Sequence, residues 1–297
     1  MIPHGTILGG LVTTPDLDAA LADYEGTLGL TIVERGPLAP DLAASWGCPA
    51  SAGAAMAILQ PTSGAPCFLR LVEQAVPADF RPTRTFGWAA YEFSVQDVYG
   101  WPDRLTGSGF DIVGPPKEIA GLPYFIPMQV TGRGREMLYL NEVRENTPSS
   151  DLPKAASPVD KIFICILATP DLPGTVEWYK QTLGLDEGGT YTIEYTMLNK
   201  AFALPDGTQH RLTMVQAGRN PIAEVDAYPA PAAPRAHPAG TLPPGNALVT
   251  LAVDDLDRSG LDWITPPVAR AGPIYGGRRV GTVRGPAGEL LELVEVG

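Results

Sequence analysis

The sequence predicts an α+β fold in which four consecutive βαβββ units form two tandem modules. Three observations support this prediction. The chain has 297 residues, which is long enough for two domains. A phrase of sixteen residues that begins at Pro15 occurs again from Pro170 and is identical at eight positions. Each helical pattern is followed by β-prone segments, and a repeat at about half the chain length indicates a duplicated module.

The first unit is predicted from periodicity and from the residues that end each element. Residues 6–14 are apolar and β-prone, and this strand ends at Pro15. Apolar residues at helical spacing follow, with acidic residues in the first turn and Gly29 where the helix ends. Further strands of this unit are predicted near residues 32–34, 54–60 and 67–73.

The remaining units repeat this order of elements. The second begins with a strand at 88–95 and has a short helix near 101–107, and the third repeats the first. The Pro- and Ala-rich residues 218–244 are too long for a hairpin connection and are predicted to form a lid-like insert over a cavity. The predicted domains are an N-terminal module at 1–147 with units 1–76 and 84–147, a linker at 148–158, and a C-terminal module at 159–297 with units 159–217 and 245–297.

Composition and charge restrict the class of partner. The net charge of −12 and a pI near 4.7 argue against nucleic acid and anionic membrane, because both would repel the chain. A small hydrophobic or aromatic ligand fits better, and a homo-oligomer is left open. The N-terminus has no signal-like pattern, so a cytoplasmic protein is expected. The three cysteines are scattered without a C-x-x-C, which predicts buried small residues and neither disulfides nor a zinc site.

Two motifs carry a resemblance to a known family. The pattern P-D-L, then Tyr, then L-G-L follows the first strand, and Gly285-Pro-Ala-Gly-Glu-Leu-Leu-Glu-Leu-Val-Glu295 closes the chain. Together with four βαβββ units, they resemble the vicinal oxygen chelate superfamily, which includes glyoxalase I, bleomycin-resistance proteins and extradiol dioxygenases. Length and two-module layout are most similar to the extradiol dioxygenases. The resemblance implies cup-shaped mixed sheets, in which metal ligands project inward from the first and last strands of each unit.

The residues at those positions are mostly unable to bind a metal. The resemblance places the first-strand ligands at Gly9, Ala90, Ile164 and Leu248, and the last-strand ligands at Arg70, Tyr139, Thr213 and Glu292. Only Glu292 has a metal-binding side chain, and one carboxylate does not hold a divalent ion against water. The sequence therefore predicts no metal site and no cofactor.

Because no metal site is predicted, Glu292 is the most informative candidate for a catalytic side chain. In an apolar cup lined by Ile164, Ile166 and Leu248, burial would raise its pKa and suit it to general acid or base catalysis. A structural ion pair with a nearby arginine is the alternative. Tyr275 is a second catalytic candidate as a hydrogen-bond donor, or it packs at a turn.

The other candidates are weaker. His237 lies in the Pro-rich segment and is the imidazole that a folded lid would bring over the cavity, whereas His210 is expected on the outer face of a strand. In the first module, Arg70 and Glu92 are expected to face inward and to pair, which would fill that cup. The residues predicted to contact substrate, besides the three apolar ones above, are Arg211, Thr213, Thr250 and Arg278.

Two functions from different classes follow. The favoured hypothesis is a metal-independent enzyme in which Glu292 moves a proton on a hydrophobic or aromatic oxygenated molecule, as in a lyase, an isomerase or a hydrolase. The alternative is a binding protein of the resistance type, which sequesters a small molecule without chemistry. A dioxygenase with relocated metal ligands is a third and weaker hypothesis.

Overall fold

The computed structural model describes residues 1–119, 121–258 and 260–297, and it has an α+β fold with two eight-stranded mixed sheets. The strands are β1 Ile7–Thr14, β2 Thr31–Pro37, β3 Ala55–Gln60, β4 Phe68–Glu73, β5 Gly87–Val95, β6 Asp111–Gly114, β7 Phe125–Thr131, β8 Met137–Val143, β9 Val159–Thr169, β10 Asp186–Glu194, β11 Gln209–Ala217, β12 Asn220–Ala227, β13 Asn246–Val253, β14 Val268–Ala269, β15 Arg279–Arg284 and β16 Leu290–Glu295. The α-helices are α1 Leu17–Leu21, α2 Pro40–Ser45, α3 Trp101–Arg104, α4 Leu172–Leu183 and α5 Thr196–Phe202. None of the helices described is long and apolar enough to cross a membrane.

The units pair in an order that the sequence did not predict. The first sheet runs β14-β15-β16-β13-β1-β4-β3-β2, and the second runs β10-β11-β12-β9-β5-β8-β7-β6. The first unit therefore pairs with the fourth through β1 and β13, and the second unit pairs with the third through β5 and β9. The expectation that consecutive units share a cup is wrong. Because β1, β5 and β13 are buried along their whole length, each suits the centre of either sheet.

The repeated phrase has the same structural role in both copies. Asp16 and Asp171 cap the N-termini of α1 and α4 by accepting hydrogen bonds from backbone N–H groups at 2.9 and 3.1 Å. Gly29 and Gly184 follow the two helical segments with φ of 74° and 68°, which glycine adopts without steric cost. The matched Asp and Gly are therefore explained by helix capping.

The matched tyrosines tie neighbouring units together. Tyr24 donates to Glu136 at 2.7 Å, and Tyr179 donates to Glu289 at 2.9 Å, and all four side chains are buried. Burial raises the pKa of each of these glutamates to about 7. The duplication thus preserves a contact between units as well as a helix.

The two sheets pack on one another through a shared apolar core, which also takes in α1, α3 and α4. Tyr91 of β5 joins the sheets, because its single hydroxyl hydrogen is shared between the carbonyl oxygens of Leu11 and Leu248, which lie 2.9 and 2.8 Å from the hydroxyl oxygen. The opposite face of each sheet carries a separate apolar cluster. We call these faces the first cup, on the first sheet, and the second cup, on the second sheet.

The segment expected to be a lid begins with a strand. Within residues 218–244, β12 lies inside the second sheet between β11 and β9. The sequence concealed this strand because Pro221 and the Pro-rich context indicate a loop. The expectation that Thr213 occupies the last-strand position of the third unit is corrected for the same reason. Register with β9 gives that position to Glu224, which is opposite Ile166.

Candidate functional site

The first cup holds a closed network of polar side chains around Glu292. Glu292 on β16 accepts hydrogen bonds from Trp46 at 2.7 Å and from Tyr275 at 3.0 Å on Oε1, and from Thr250 of β13 at 2.8 Å on Oε2. Arg70 of β4 forms an ion pair with Oε2 at 2.9 Å and donates to the Tyr275 hydroxyl at 2.9 Å. Four side chains, from two strands and two loops, therefore meet at one carboxylate.

The electrostatics of Glu292 differ from the sequence expectation. Burial alone would raise its pKa, but the Arg70 charge and the hydrogen bonds from Trp46, Arg70 and Thr250 outweigh it, so its pKa is lowered. Burial and the charge of Glu292 raise the pKa of Tyr275 well above its ordinary value. Glu292 is therefore an ionised partner in a salt bridge and lacks the raised pKa that a general acid or base would need.

The surroundings of Glu292 are also corrected. Ile164 and Ile166 lie on β9 in the second sheet and pack in the clusters of that sheet. Leu248 lies on β13, the strand of Thr250, and is fully buried in the first cup. The predicted apolar hollow around the carboxylate does not exist, because the polar network takes its place.

A cavity of about 310 Å³ opens over this network. Arg70 and Tyr275 line its floor, and Leu42, Met56, Ile58 and Ile274 give it apolar walls. The Nε atom of Arg70 is buried and has no hydrogen-bond partner in the described chain. The Arg70 guanidinium also lies over the Trp46 ring, 5.0 Å from its centroid, so its orientation is fixed. An unpaired, immobilised N–H donor therefore belongs to a residue on the cavity floor.

The cavity rim is charged but balanced. Arg270 pairs with Asp41 at 2.6 Å, and Glu34 adds a further carboxylate to the lining. Since Arg70 is already neutralised by Glu292, the cavity carries no net positive charge. A neutral molecule fits this charge balance better than an anion does.

The other predicted site residues lie elsewhere. Arg211 is exposed on β11, and Thr213 contacts Thr190 at 2.9 Å in the second sheet. Arg278 is half-buried beside β15 and is not part of the network. His237 lines a different cavity. The structure therefore brings together only Glu292, Tyr275 and Thr250, with Leu248 beside them.

Two further expectations are wrong. His210 is buried, contrary to its predicted outward position, because α5 covers it and Asn199 contacts its Nε2 at 2.7 Å. The partner of Arg70 is Glu292 and not Glu92, because the first unit pairs with the fourth. Glu92 lies in the second cup, where Asn141 donates to it.

The second cup has an acidic centre. Glu92, Glu224 and Asp226 face one another there, and burial followed by their mutual repulsion raises the pKa of Glu92 and Asp226. Burial raises the pKa of Glu224 to about 7. Tyr139 contacts the hydroxyl of Tyr195, at the start of α5, at 2.9 Å. Residues of α5 pack over this cup, so these carboxyl groups are held in a covered interior.

Neither cup fits the divalent metal that the fold family implies. In the first cup, the Arg70 guanidinium holds the carboxylate that would be a ligand, and the register places Leu11 and Thr250, rather than the expected Gly9 and Leu248, opposite Arg70 and Glu292. In the second cup, the register gives Glu92, Tyr139, Ile166 and Glu224. Among the residues that the structure describes, no three His, Cys, Asp or Glu side chains share a metal-binding geometry.

Sequence reasoning missed two contributors to the first cup. Trp46 had no distinguishing signal, because the loop after α2 reaches Glu292 only through the fold. The association of Arg70 with Glu292 was hidden by the assumed unit pairing. The available clue was that Arg70 and Glu292 occupy equivalent last-strand positions and both face inward, since two buried opposite charges are expected to pair.

Comparisons with known proteins agree with this architecture. Residues 161–293 match the model of the Glyoxalase/Bleomycin resistance protein/Dioxygenase superfamily. Glyoxalase I from Zea mays is similar in structure, with a TM-score of 0.62 and 14% identity over 97% of this chain and 92% of that chain. A putative dioxygenase from Bacillus subtilis has a TM-score of 0.63 and 14% identity over 99% of this chain and 86% of that chain. No curated protein sequence matches the chain.

The two kinds of similarity support each other. The sequence match covers the third and fourth units. The structural similarity covers all four units, but at this low sequence identity it shows only a shared fold. The resemblance expected from the repeated phrase and the closing strand is confirmed. Residues 161–293 therefore match the Glyoxalase/Bleomycin resistance protein/Dioxygenase superfamily in sequence, and the whole chain has the fold of the glyoxalase I and dioxygenase structures.

Proposed function

We propose that the chain binds a small, neutral aromatic or apolar molecule with an oxygen acceptor in the cavity of the first cup. The observation that carries this proposal is a cavity with apolar walls whose lining includes Arg70, a buried guanidinium with one nitrogen, Nε, that has no hydrogen-bond partner in the described chain. A buried donor without a partner costs free energy, and a ligand oxygen would recover it. The ligand thus completes a hydrogen-bonding set that the protein leaves unfinished.

Binding without proton transfer by Glu292 agrees best with the network. Its two oxygens already accept from four side chains, and a general base needs a free lone pair directed at the substrate. Tyr275 is likewise engaged, because its hydroxyl donates to Glu292 and accepts from Arg70. We therefore favour sequestration over the lyase, isomerase or hydrolase hypothesis.

The size of the cavity limits the ligand. A volume of about 310 Å³ lies at the lower end of the range for ligand pockets. One ring with a short oxygenated substituent is the appropriate size class. Acetophenone, which has a carbonyl acceptor, and toluene, which has none, are a suitable pair of probes.

We expect acetophenone to bind saturably and toluene to bind at least ~5-fold more weakly, since one net hydrogen bond is worth about 1 kcal/mol. Ligand-observed NMR titration measures both. Ala271→Trp should abolish binding by filling the mouth, because Ala271 is exposed and lines the cavity. Ala52→Trp is the matched control, as Ala52 is exposed and outside the lining. Equal affinity for both probes, or binding that survives Ala271→Trp, would contradict the proposal.

A further inference from the structure

We propose that a second cavity, separate from the first cup, is a binding site for a small oxyanion, namely a carboxylate or a phosphate group. This cavity has a volume of about 170 Å³ and lies where three parts of the chain meet. Trp88 comes from β5, Arg235 and His237 come from the connection after β12, and Arg284 and Glu289 come from the β15–β16 hairpin. The site goes beyond the proposed function, because it shares no lining residue with the first cavity.

Arg235 is the central observation. Its Nε donates to Thr85 at 3.0 Å, Nη1 donates to the carbonyl groups of Pro244 and Asn246 at 3.2 and 2.7 Å, and Nη2 donates to the carbonyl of Trp88 at 2.7 Å. Every partner is neutral, and no salt bridge to Arg235 is present in the described parts of the chain. The guanidinium is therefore fixed in place while its charge has no counterion.

The missing counterion has a cost. Burial lowers the pKa of Arg235 to about 10, since a charge in a covered site is destabilised without an opposite charge. A guanidinium has five N–H groups, and four hydrogen bonds leave one donor free on Nη2. An anion in the cavity would supply both the missing charge and the missing acceptor.

Arg284 adds to this positive character, and His237 adds an imidazole that can hydrogen-bond to a ligand. Arg284 is exposed and makes one hydrogen bond, from Nη1 to the carbonyl of Gly288 at 3.1 Å, so most of its donors are free for a ligand. Burial lowers the pKa of His237, and the charges of Arg284 and Arg235 contribute. Arg235, His237 and Arg284 therefore lie close enough together to affect one another's charge. Arginine forks of this kind suit carboxylate and phosphate oxygens.

Glu289 is the one carboxylate in the lining, and its oxygens are turned to other partners. Oε1 accepts from Tyr179 at 2.9 Å and Oε2 accepts from the backbone N–H of Ala287 at 2.9 Å. Burial raises its pKa to about 7, so it is only partly ionised at neutral pH. Two arginines against a partial negative charge leave the cavity net positive. Its volume is several times the ~30 Å³ of one water, which is enough for an oxyanion group.

The test is calorimetric titration of the full chain with sodium phosphate and, separately, sodium acetate, each against sodium chloride at equal ionic strength. We expect one saturable site per chain for at least one of the two oxyanions and no saturable heat with chloride. The anion that binds more tightly distinguishes a phosphate ligand from a carboxylate ligand. If neither phosphate nor acetate bound saturably, the proposal would be overturned.

Variants locate the site. Arg284→Gln should weaken binding about 10-fold, in line with a lost charge-assisted hydrogen bond. Arg104→Gln removes the same charge from an exposed position on α3 and should leave the affinity within 2-fold. His237→Gln is a second variant in the lining and should weaken binding several-fold. Ala271→Trp blocks the first cavity and should have no effect here, so the two proposals fail independently. Equal affinities of the Arg284→Gln and Arg104→Gln variants would contradict this assignment.

Discussion

Glu292→Gln is expected to lower the free energy of unfolding by about 3–5 kcal/mol, because it leaves Arg70 as an uncompensated charge in the interior. Both side chains of the pair are almost completely buried, with 1% and 0% of their surfaces exposed. The amide also cannot accept from all four donors that now surround the carboxylate. Chemical denaturation followed by circular dichroism measures the change.

The matched control is the exposed pair of Arg35 and Asp18. Asp18→Asn should cost less than about 1 kcal/mol, because solvent screens this pair. The double variant Arg70→Met with Glu292→Met should cost less than the sum of its single variants, since no charge is then left alone. If Glu292→Gln changed stability no more than Asp18→Asn, the closed network would not hold Glu292 as described.

Asp226→Asn, in contrast to Glu292→Gln, is expected to raise the free energy of unfolding, by about 1–3 kcal/mol at pH 8. The reason is that it removes a buried carboxylate that lacks hydrogen-bond partners. Asp226 is buried, and both of its oxygens lack hydrogen-bond partners in the described chain. Burial, followed by repulsion from Glu224 and Glu92, raises its pKa well above the ordinary value. Most substitutions destabilise proteins, so a gain would be diagnostic.

The pH dependence follows from the direction of the shift. A carboxyl group with a raised pKa in the folded state favours folding while it is protonated, below the unfolded pKa of about 4. That contribution is lost as the pH rises through the folded pKa. The difference in stability between Asp226→Asn and the parent chain should therefore be small at pH 4 and should increase towards pH 8.

Controls keep this prediction specific to the second cup. Groups with lowered pKa, such as Glu292 and Asp257, change the stability of the parent chain in the opposite direction. The comparison therefore uses the difference between variant and parent chain at each pH. Asp262→Asn, at an exposed position, should show no such increase. A constant difference across the pH range, or a loss of stability at pH 8, would contradict the acidic centre.

The two cups solve the burial of carboxylates in different ways. In the first cup, Arg70 provides a counterion and Glu292 remains ionised. In the second cup, Glu92, Glu224 and Asp226 have no counterion among the residues that the structure describes, and protonation relieves their repulsion. The interior of one sheet thus contains an ion pair, and that of the other contains a group of carboxyl groups with raised pKa.

Local structure was largely predictable. The strands expected at 54–60 and 67–73 correspond to β3 and β4, and the repeated phrase contains two capped helical segments that end at glycine. These features depend on the nearest residues in the chain, such as a capping Asp or a glycine with positive φ. The one strand concealed by its proline, β12, also concealed Glu224 and Asp226.

The sequence by itself determined the four units, the ends of the helical segments in the repeated phrase and the inward faces of Arg70 and Glu292. Only the tertiary structure decided that the first unit pairs with the fourth. That pairing in turn decided that Arg70 is the partner of Glu292 and that the pKa of Glu292 is lowered. The physical reason is the distance along the chain over which each interaction acts. Alternation and capping act over a few residues, whereas buried first strands of similar composition fit several neighbours until long-range contacts, such as the ion pair of Arg70 and Glu292, select one arrangement.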